Sequence, residues 1–282
     1  MANLKAVRNR MKSVSSISKI TKAMSMVAAA KLRTVQAMQE ASRPFSAAME
    51  RFFAGMEKAA AGEAAGQAPV GKELTVAITS DRGLCGGVNS SIVKAIKAML
   101  ADVKGKQEVE IVLLGDKGRD GLARAYADKL SYTYKDVFKS PVTFTLAGLI
   151  AEDIANRQFD TISIFFNKFK NAVSQIVTRR PVYGIEFMKA HAEVLDEYEF
   201  DTDLDSAQIL LDLFEFQLAS QIFNTCLENA TSEQAARMSA MDNATRNGTD
   251  MLAALTLTYN RQRQAVITSE LIEVISGAEA LN

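Results

Sequence analysis

The chain has 282 residues, with 33 Lys and Arg against 33 Asp and Glu, so the formal net charge is zero with its one histidine neutral. Such a balance excludes a nonspecific nucleic-acid binder, whose affinity comes from neutralising phosphates, and no apolar run reaches the roughly 20 residues that cross a bilayer. At 48% hydrophobic and 23% charged, with only 4 Pro and 15 Gly, the composition is that of a globular, helix-rich chain.

From Leu4 the apolar residues recur at Val7, Met11, Val14, Ile17, Ile20, Met24, Val27, Leu32, Val35 and Met38, then at Phe45, Met49, Phe52 and Met56. Steps of three and four predict one amphipathic helix over residues 1–60, about fifteen turns against the usual three or so. Pro44 is its one interruption, where the helix bends or splits. The stretch is basic, with Lys5, Arg8, Arg10, Lys12, Lys19, Lys22, Lys31, Arg33 and Arg43 against Glu40. A transit peptide has this composition too, but its apolar period does not normally continue to Met56, which favours a permanent helix. Residues 59–71, with Gly62, Gly66, Pro69 and Gly71, read as a linker.

The period then changes. Short apolar runs at 74–79, 109–114, 161–166 and 175–182 read as strands. Helical patterns at 88–99, 117–130 and 146–156 lie between the first three. This order predicts a central α/β domain over 72–190, Rossmann-like, with a mostly parallel sheet and right-handed crossovers. The segment 167–174 is short enough for a hairpin, which makes the last strand an antiparallel edge, a place that suits Pro181.

An acidic stretch follows, with Glu193, Asp196, Glu197, Glu199, Asp201, Asp203 and Asp205. The helical period returns over 206–282 with Leu211, Phe214, Leu218, Ile222, Cys226 and Ala230, and continues through Met238, Met241, Ala244, Gly248, Leu252, Leu255 and Tyr259. Long helices gain stability by packing an apolar face, so the two terminal helices are expected to pair as an antiparallel coiled coil. A helix of about 55 residues is roughly 80 Å long, whereas a domain of about 115 residues spans some 30 Å. Much of the coil is therefore expected to project into solvent or into another protein.

Candidate chemistry is sparse. Ser80-Asp81-Arg82-Gly83-Leu84-Cys85-Gly86-Gly87 stands between a strand and a helix, where a phosphate cradle would sit, but it lacks the spacing of either glycine-rich phosphate motif. Gly115, Gly118 and Gly121 are likewise wrongly spaced. A tight turn explains both clusters, and no cofactor is expected. Cys85 at a helix start could be an activated thiolate, but the only base on offer is His191, read here as a surface or hinge residue. Cys85 and Cys226 fit a reducing compartment without a disulfide framework, and no cluster has zinc or calcium spacing. No catalytic residue and no metal ligand is expected.

Three stretches resemble the gamma subunit of the rotary F-type ATP synthase, and the likeness runs the length of the chain. They are Ile20-Thr21-Lys22-Ala23-Met24 with Met26-Val27-Ala28-Ala29-Ala30-Lys31, then Ser80 to Gly86, then Ser232-Glu233-Gln234-Ala235-Ala236-Arg237-Met238 through Tyr259-Asn260-Arg261-Gln262-Arg263-Gln264-Ala265-Val266-Ile267-Thr268 to Ile275-Ser276-Gly277-Ala278. The resemblance implies a non-catalytic shaft made of the two terminal helices. That shaft would turn inside a ring of three alpha and three beta subunits, with delta- or epsilon-type stalk subunits and the membrane c-ring as further partners. It implies partner contacts at Lys22, Met24, Lys31, Arg33, Arg237, Arg263, Gln264 and Thr268, and an approach to the c-ring at Tyr198 and Glu199. No cysteine pair of the regulated chloroplast kind is present, and the C-terminal wording looks most like mitochondrial members. The implied place is the matrix side of the mitochondrial inner membrane, or the cytoplasmic side of a bacterial one. The competing readings are an α/β enzyme or phosphate-ligand binder with coiled-coil arms, which would bind its ligand as an isolated chain, and a coiled-coil adaptor, which would self-associate.

Overall fold

A computed structural model describes residues 4–55, 71–103, 107–157, 159–191 and 206–279. Helix α1 is Leu4–Phe52 and the final helix, α6, is Ser206–Glu279. Between them lie β1 (Lys72–Ile78), α2 (Val88–Asp102), β2 (Glu108–Leu114), α3 (Asp116–Tyr126), β3 (Leu130–Tyr134), α4 (Phe144–Ala155), β4 (Thr161–Phe169), β5 (Gln175–Tyr183) and the short α5 (Ile185–Ala190). The predicted linker, apart from Gly71, and the acidic stretch 193–205 lie outside the described residues. The chain divides into two compact units, a coil unit of residues 1–28 with 238–282, and an α/β unit of residues 29–237.

In the α/β unit the strand order is β3-β2-β1-β4-β5. The strands β1, β2, β3 and β4 are parallel, with Val76 beside Val112 on one flank and Ile164 on the other, and β5 runs antiparallel to β4. Strand alternation sorts two cores onto the two faces. Leu74, Val76, Ile78, Val112, Ile162 and Ile164 face Ile150 and Ile154 of α4 and Phe214, Leu218 and Ile222 of α6. Ala77, Ile111, Leu113 and Phe165 face Ile92, Ile96 and Leu100 of α2 and Leu122 of α3. Being covered on both sides, the central strands read as continuous apolar runs rather than alternating ones.

In its secondary structure the chain departs from the sequence expectation as follows. The helix expected over 117–130 ends at Tyr126, and after a 3-10 turn at Ala127–Lys129 the residues Leu130-Ser131-Tyr132-Thr133-Tyr134 add β3 to β2. Those residue types favour strands, but on a half-exposed edge they form no apolar run. Strand β4 runs three residues beyond its expected end, to Phe169. Of the two outcomes expected at Pro44, the split does not occur: α1 passes through it as one helix. Its ring lies on the exposed side, where a carbonyl that loses its helical donor still has water.

Gly115 is required by its turn: it starts α3 at φ 97°, and a Cβ there would stand 2.6 Å from the Thr79 carbonyl oxygen. Pro181 takes the expected edge place on β5, opposite Ser163.

Candidate functional site

In the coil unit, α1 and α6 pair antiparallel through small and polar side chains. The Thr21 and Thr245 hydroxyls are 2.7 Å apart. The Ser25 hydroxyl donates to the Asp242 carboxylate at 2.6 Å. A Cβ on Gly248 would stand 3.2 Å from the Ser18 Cβ. Small residues bring helix backbones close, and the threonine hydroxyls also bond back to their own helix, Thr245 to Met241 O at 2.8 Å.

This seam corrects the apolar stripe. Thr21, Ser25 and Ala28 are buried, while Ile17, Ile20, Met26 and Val27 are each more than 50% exposed. The three-and-four spacing is real, but the inward face is rotated toward the smaller residues. Met24 is half-buried and Lys22 exposed beside it. Arg263, Gln264 and Thr268 are exposed on the far part of α6, where Thr268 donates its hydroxyl to the Gln264 carbonyl at 2.9 Å. Leu257, Leu271, Ile272, Val274 and Ile275 are exposed there too.

In the α/β unit Lys31 and Arg33 are exposed on α1. Arg237 is different. Its guanidinium lies 2.5 Å from the Glu233 carboxylate one turn back on α6, with the arginine side chain 11% and the glutamate 5% exposed, and it also donates to the Gly83 carbonyl at 3.3 Å. Its charge is thus engaged within its own chain. Burial pushes the Glu233 carboxyl above its usual value, and the attraction of Arg237 opposes this less strongly.

Gly83 belongs to the 80–87 turn, which is held from several sides. Asn89 accepts the Ser80 amide at 2.9 Å and donates to the Ser80 hydroxyl at 2.7 Å. Asp81 accepts the amides of Asp136 at 3.2 Å and Phe138 at 3.3 Å. Leu84 takes φ 63° and Gly86 φ 60°. The acid of the turn is thus spent on tying two loops together, and its carboxylate is the opposite charge to what a phosphate cradle needs.

Cys85 is buried in this turn, and burial raises its thiol above the ordinary value. Cys226 is fully enclosed and is pushed up to about 12. Neither is a thiolate near neutral pH. His191 caps α5 with its ring stacked on Phe187 at 4.2 Å and Nδ1 3.0 Å from the Phe187 carbonyl. Among the described residues no group of His, Cys, Asp and Glu could hold a metal ion. No helix among them is long and apolar enough to cross a membrane.

Lys31, Met38, Lys139, Val142, Leu227 and Glu233 are among the side chains lining a cleft of about 280 Å³ in the α/β unit. Four side chains deeper in that unit, Gln39, Asn167, Glu228 and Asn229, were not expected from sequence, and all are buried. An asparagine inside a strand, a position such residues avoid, is the signal that marks Asn167.

The family model described as ATP synthase matches residues 3–281. The ATP synthase gamma chain of Paracoccus denitrificans is 44% identical, with all of both chains covered. This chain belongs to the ATP synthase gamma family. The mitochondrial gamma subunit of Ipomoea batatas is 43% identical over 98% of this chain and 84% of its own length. Bacterial and mitochondrial gamma chains are therefore nearly equidistant.

Among solved structures, a chain of the Tetrahymena thermophila mitochondrial ATP synthase central stalk and c-ring is 31% identical with a TM-score of 0.69, covering 80% of this chain and 99% of that one. A chain from the Euglena gracilis mitochondrial enzyme has a TM-score of 0.79 at 21% identity, covering 99% and 94%, and shares the fold. The long terminal helices and mostly parallel sheet are thus those of the gamma family.

Proposed function

We propose that this chain is the central rotary shaft of an F-type ATP synthase. In that role it couples proton-driven rotation of the membrane c-ring to ATP synthesis on the beta subunits, and in reverse couples hydrolysis to pumping. It is a non-catalytic subunit, present once among three alpha and three beta subunits and joined by delta- or epsilon-type stalk subunits. It lies at the membrane periphery, on the matrix side in mitochondria or the cytoplasmic side in bacteria.

The observation that carries this reading is the outward face of α1. Ile17, Ile20, Met26 and Val27 are exposed, and exposed cations flank them at Lys19 and Lys22. A row of uncovered apolar side chains signals a surface that another protein encloses. Lys22, Lys31 and Arg33 would meet acidic levers of the beta subunits, and Met24 would pack against the lever of one of them. Arg263, Gln264 and Thr268 would touch beta subunits, and Arg237 would act through its hold on Glu233 and the 80–87 turn. Tyr198 and Glu199, outside the described residues, would approach the c-ring.

Rotation acts on nucleotide affinity because the shaft has no threefold symmetry. At each angle it presents different side chains to each beta subunit and so binds their conformations unequally. An orientation that favours one conformation by about 4 kcal/mol shifts its population roughly a thousandfold. Native mass measurement of the purified assembly tests the reading. One copy with three alpha and three beta subunits is expected, and a free chain or a homo-oligomer would sink it.

A further inference from the structure

We infer that Glu228, Asn229 and Ser232 of α6 form the joint that carries torque between the α/β sheet and the long helix, by hydrogen-bonding strand β4 where its neighbouring strand has stopped. This rests on the shaft reading. Strand β1 last pairs with β4 at Ala77 and Phe165. Beyond that point α6 supplies the missing partners. The Asn229 side-chain oxygen accepts the Asn167 amide at 3.3 Å, and the Asn167 side-chain nitrogen at 3.0 Å. Ser232 donates its hydroxyl to the Asn167 carbonyl at 3.0 Å. The Glu228 carboxylate accepts the Phe169 amide at 2.8 Å. Three side chains within five residues of helix thus continue the ladder of a strand.

The joint is also cross-linked. The other Glu228 oxygen accepts Nε2 of Gln39, on α1, at 2.5 Å, and the Asn167 side chain donates to the Val88 carbonyl at the start of α2 at 3.2 Å. Asn167, Asn229, Ser232 and Gln39 are completely buried and Glu228 nearly so.

The hydrophobic effect is not directional, whereas a hydrogen bond has a fixed length and angle. In a dry interior, a slipped helix would leave both members of each pair unsatisfied. Apolar contacts hold α6 against the sheet; the polar set fixes its rotation and its height. The main-chain groups of β4 past Phe165 need partners in any fold, and drawing them from five residues of α6 ties the rotation and height of that helix to the strand. These are positioning residues and touch no nucleotide.

The test uses the assembled ATPase with a bead fixed to the α/β unit, and reads bead torque and ATP hydrolysis at saturating ATP. Asn229→Leu removes both acceptor contacts, and Ser232→Ala removes one donor; Asn229→Asp keeps an acceptor. Asn229→Leu is expected to halve the torque roughly while hydrolysis persists, Ser232→Ala to lower it less, and Asn229→Asp to restore most of it. Assembled Asn229→Leu complexes with wild-type torque would overturn the inference. So would failure of both Asn229→Leu and Ser232→Ala to assemble, since the contacts would then be needed only for folding. A wild-type bead that does not rotate would instead refute the shaft reading.

Discussion

Arg237 reaches two partners at once, the Glu233 carboxylate at 2.5 Å and the Gly83 carbonyl at 3.3 Å, so a single guanidinium neutralises a buried acid and pins the turn that holds Cys85. Removing one member of a buried pair leaves the other charged and desolvated. Arg237→Ala is expected to lower the stability of the chain by about 3 kcal/mol at neutral pH, measured by denaturant unfolding. The loss should shrink at acidic pH, where Glu233 can take a proton. A loss independent of pH would show that Glu233 is not the group left uncompensated.

Glu233 makes a pH prediction of its own. Its carboxyl titrates above the ordinary 4.5 because it is buried. A carboxyl that holds its proton more tightly folded than unfolded favours the fold below 4.5, and that contribution disappears as pH rises through the folded value. Glu233→Gln keeps a carbonyl oxygen facing Arg237 and never ionises. Its unfolding free energy, followed upward from pH 4, should therefore fall less than that of the wild type.

The coil seam predicts a steric limit. With Ser18 so close to Gly248, Gly248→Leu would have to force the two helices apart, and is expected to cost about 1–3 kcal/mol despite the better helix propensity of leucine. Thermal unfolding followed by far-ultraviolet circular dichroism should show a lower midpoint. An unchanged or raised midpoint would mean that the seam is looser than its distances indicate.

Met24→Lys would place a second cation next to Lys22 at a half-buried position of α1. The change adds charge at the proposed contact with a beta subunit and leaves the nucleotide sites untouched. Coupling should fall more than hydrolysis, read as protons pumped per ATP hydrolysed. If that ratio equals the wild-type ratio, Met24 has no such role.

The thiols predict a labelling pattern. A Cys226 thiol pushed up to about 12 is ionised in only about one molecule in ten thousand at pH 8, and it is sealed inside the core. Iodoacetamide should leave Cys226 unmodified in the native chain and modify it after denaturation, as read by peptide mass. Rapid native labelling would contradict its enclosure.

Much of this architecture was legible from hydrophobic period. The strands β1, β2 and β4 announce themselves by apolar runs, β5 by the short hairpin segment before it, and the two terminal helices by apolar residues recurring every three or four positions. Strand β3 was hidden because Tyr132 and its neighbours sit on an edge where apolar pattern is not required. The seam escapes hydrophobic period for a different physical reason. The stripe of Ile17, Ile20 and Val27 looked like a core face, but a close approach of two helices selects Ser18, Thr21 and Ser25, which hydrophobicity ranks as surface. The contacts of Asn167 with Asn229, 62 residues away in sequence, depend on where β1 ends, and no local pattern encodes that.

Helix α6 is one unbroken element from Ser206 to Glu279, yet its environment changes completely along its length. Around Gln221 to Ser232 nearly every side chain is buried, polar ones included, while beyond Arg263 almost every side chain but Val266 is bare. Folding instructions are thus written in one stretch of the helix and engagement instructions in another. The bare stretch is free to be matched to whatever surrounds it, turn by turn, without renegotiating the core.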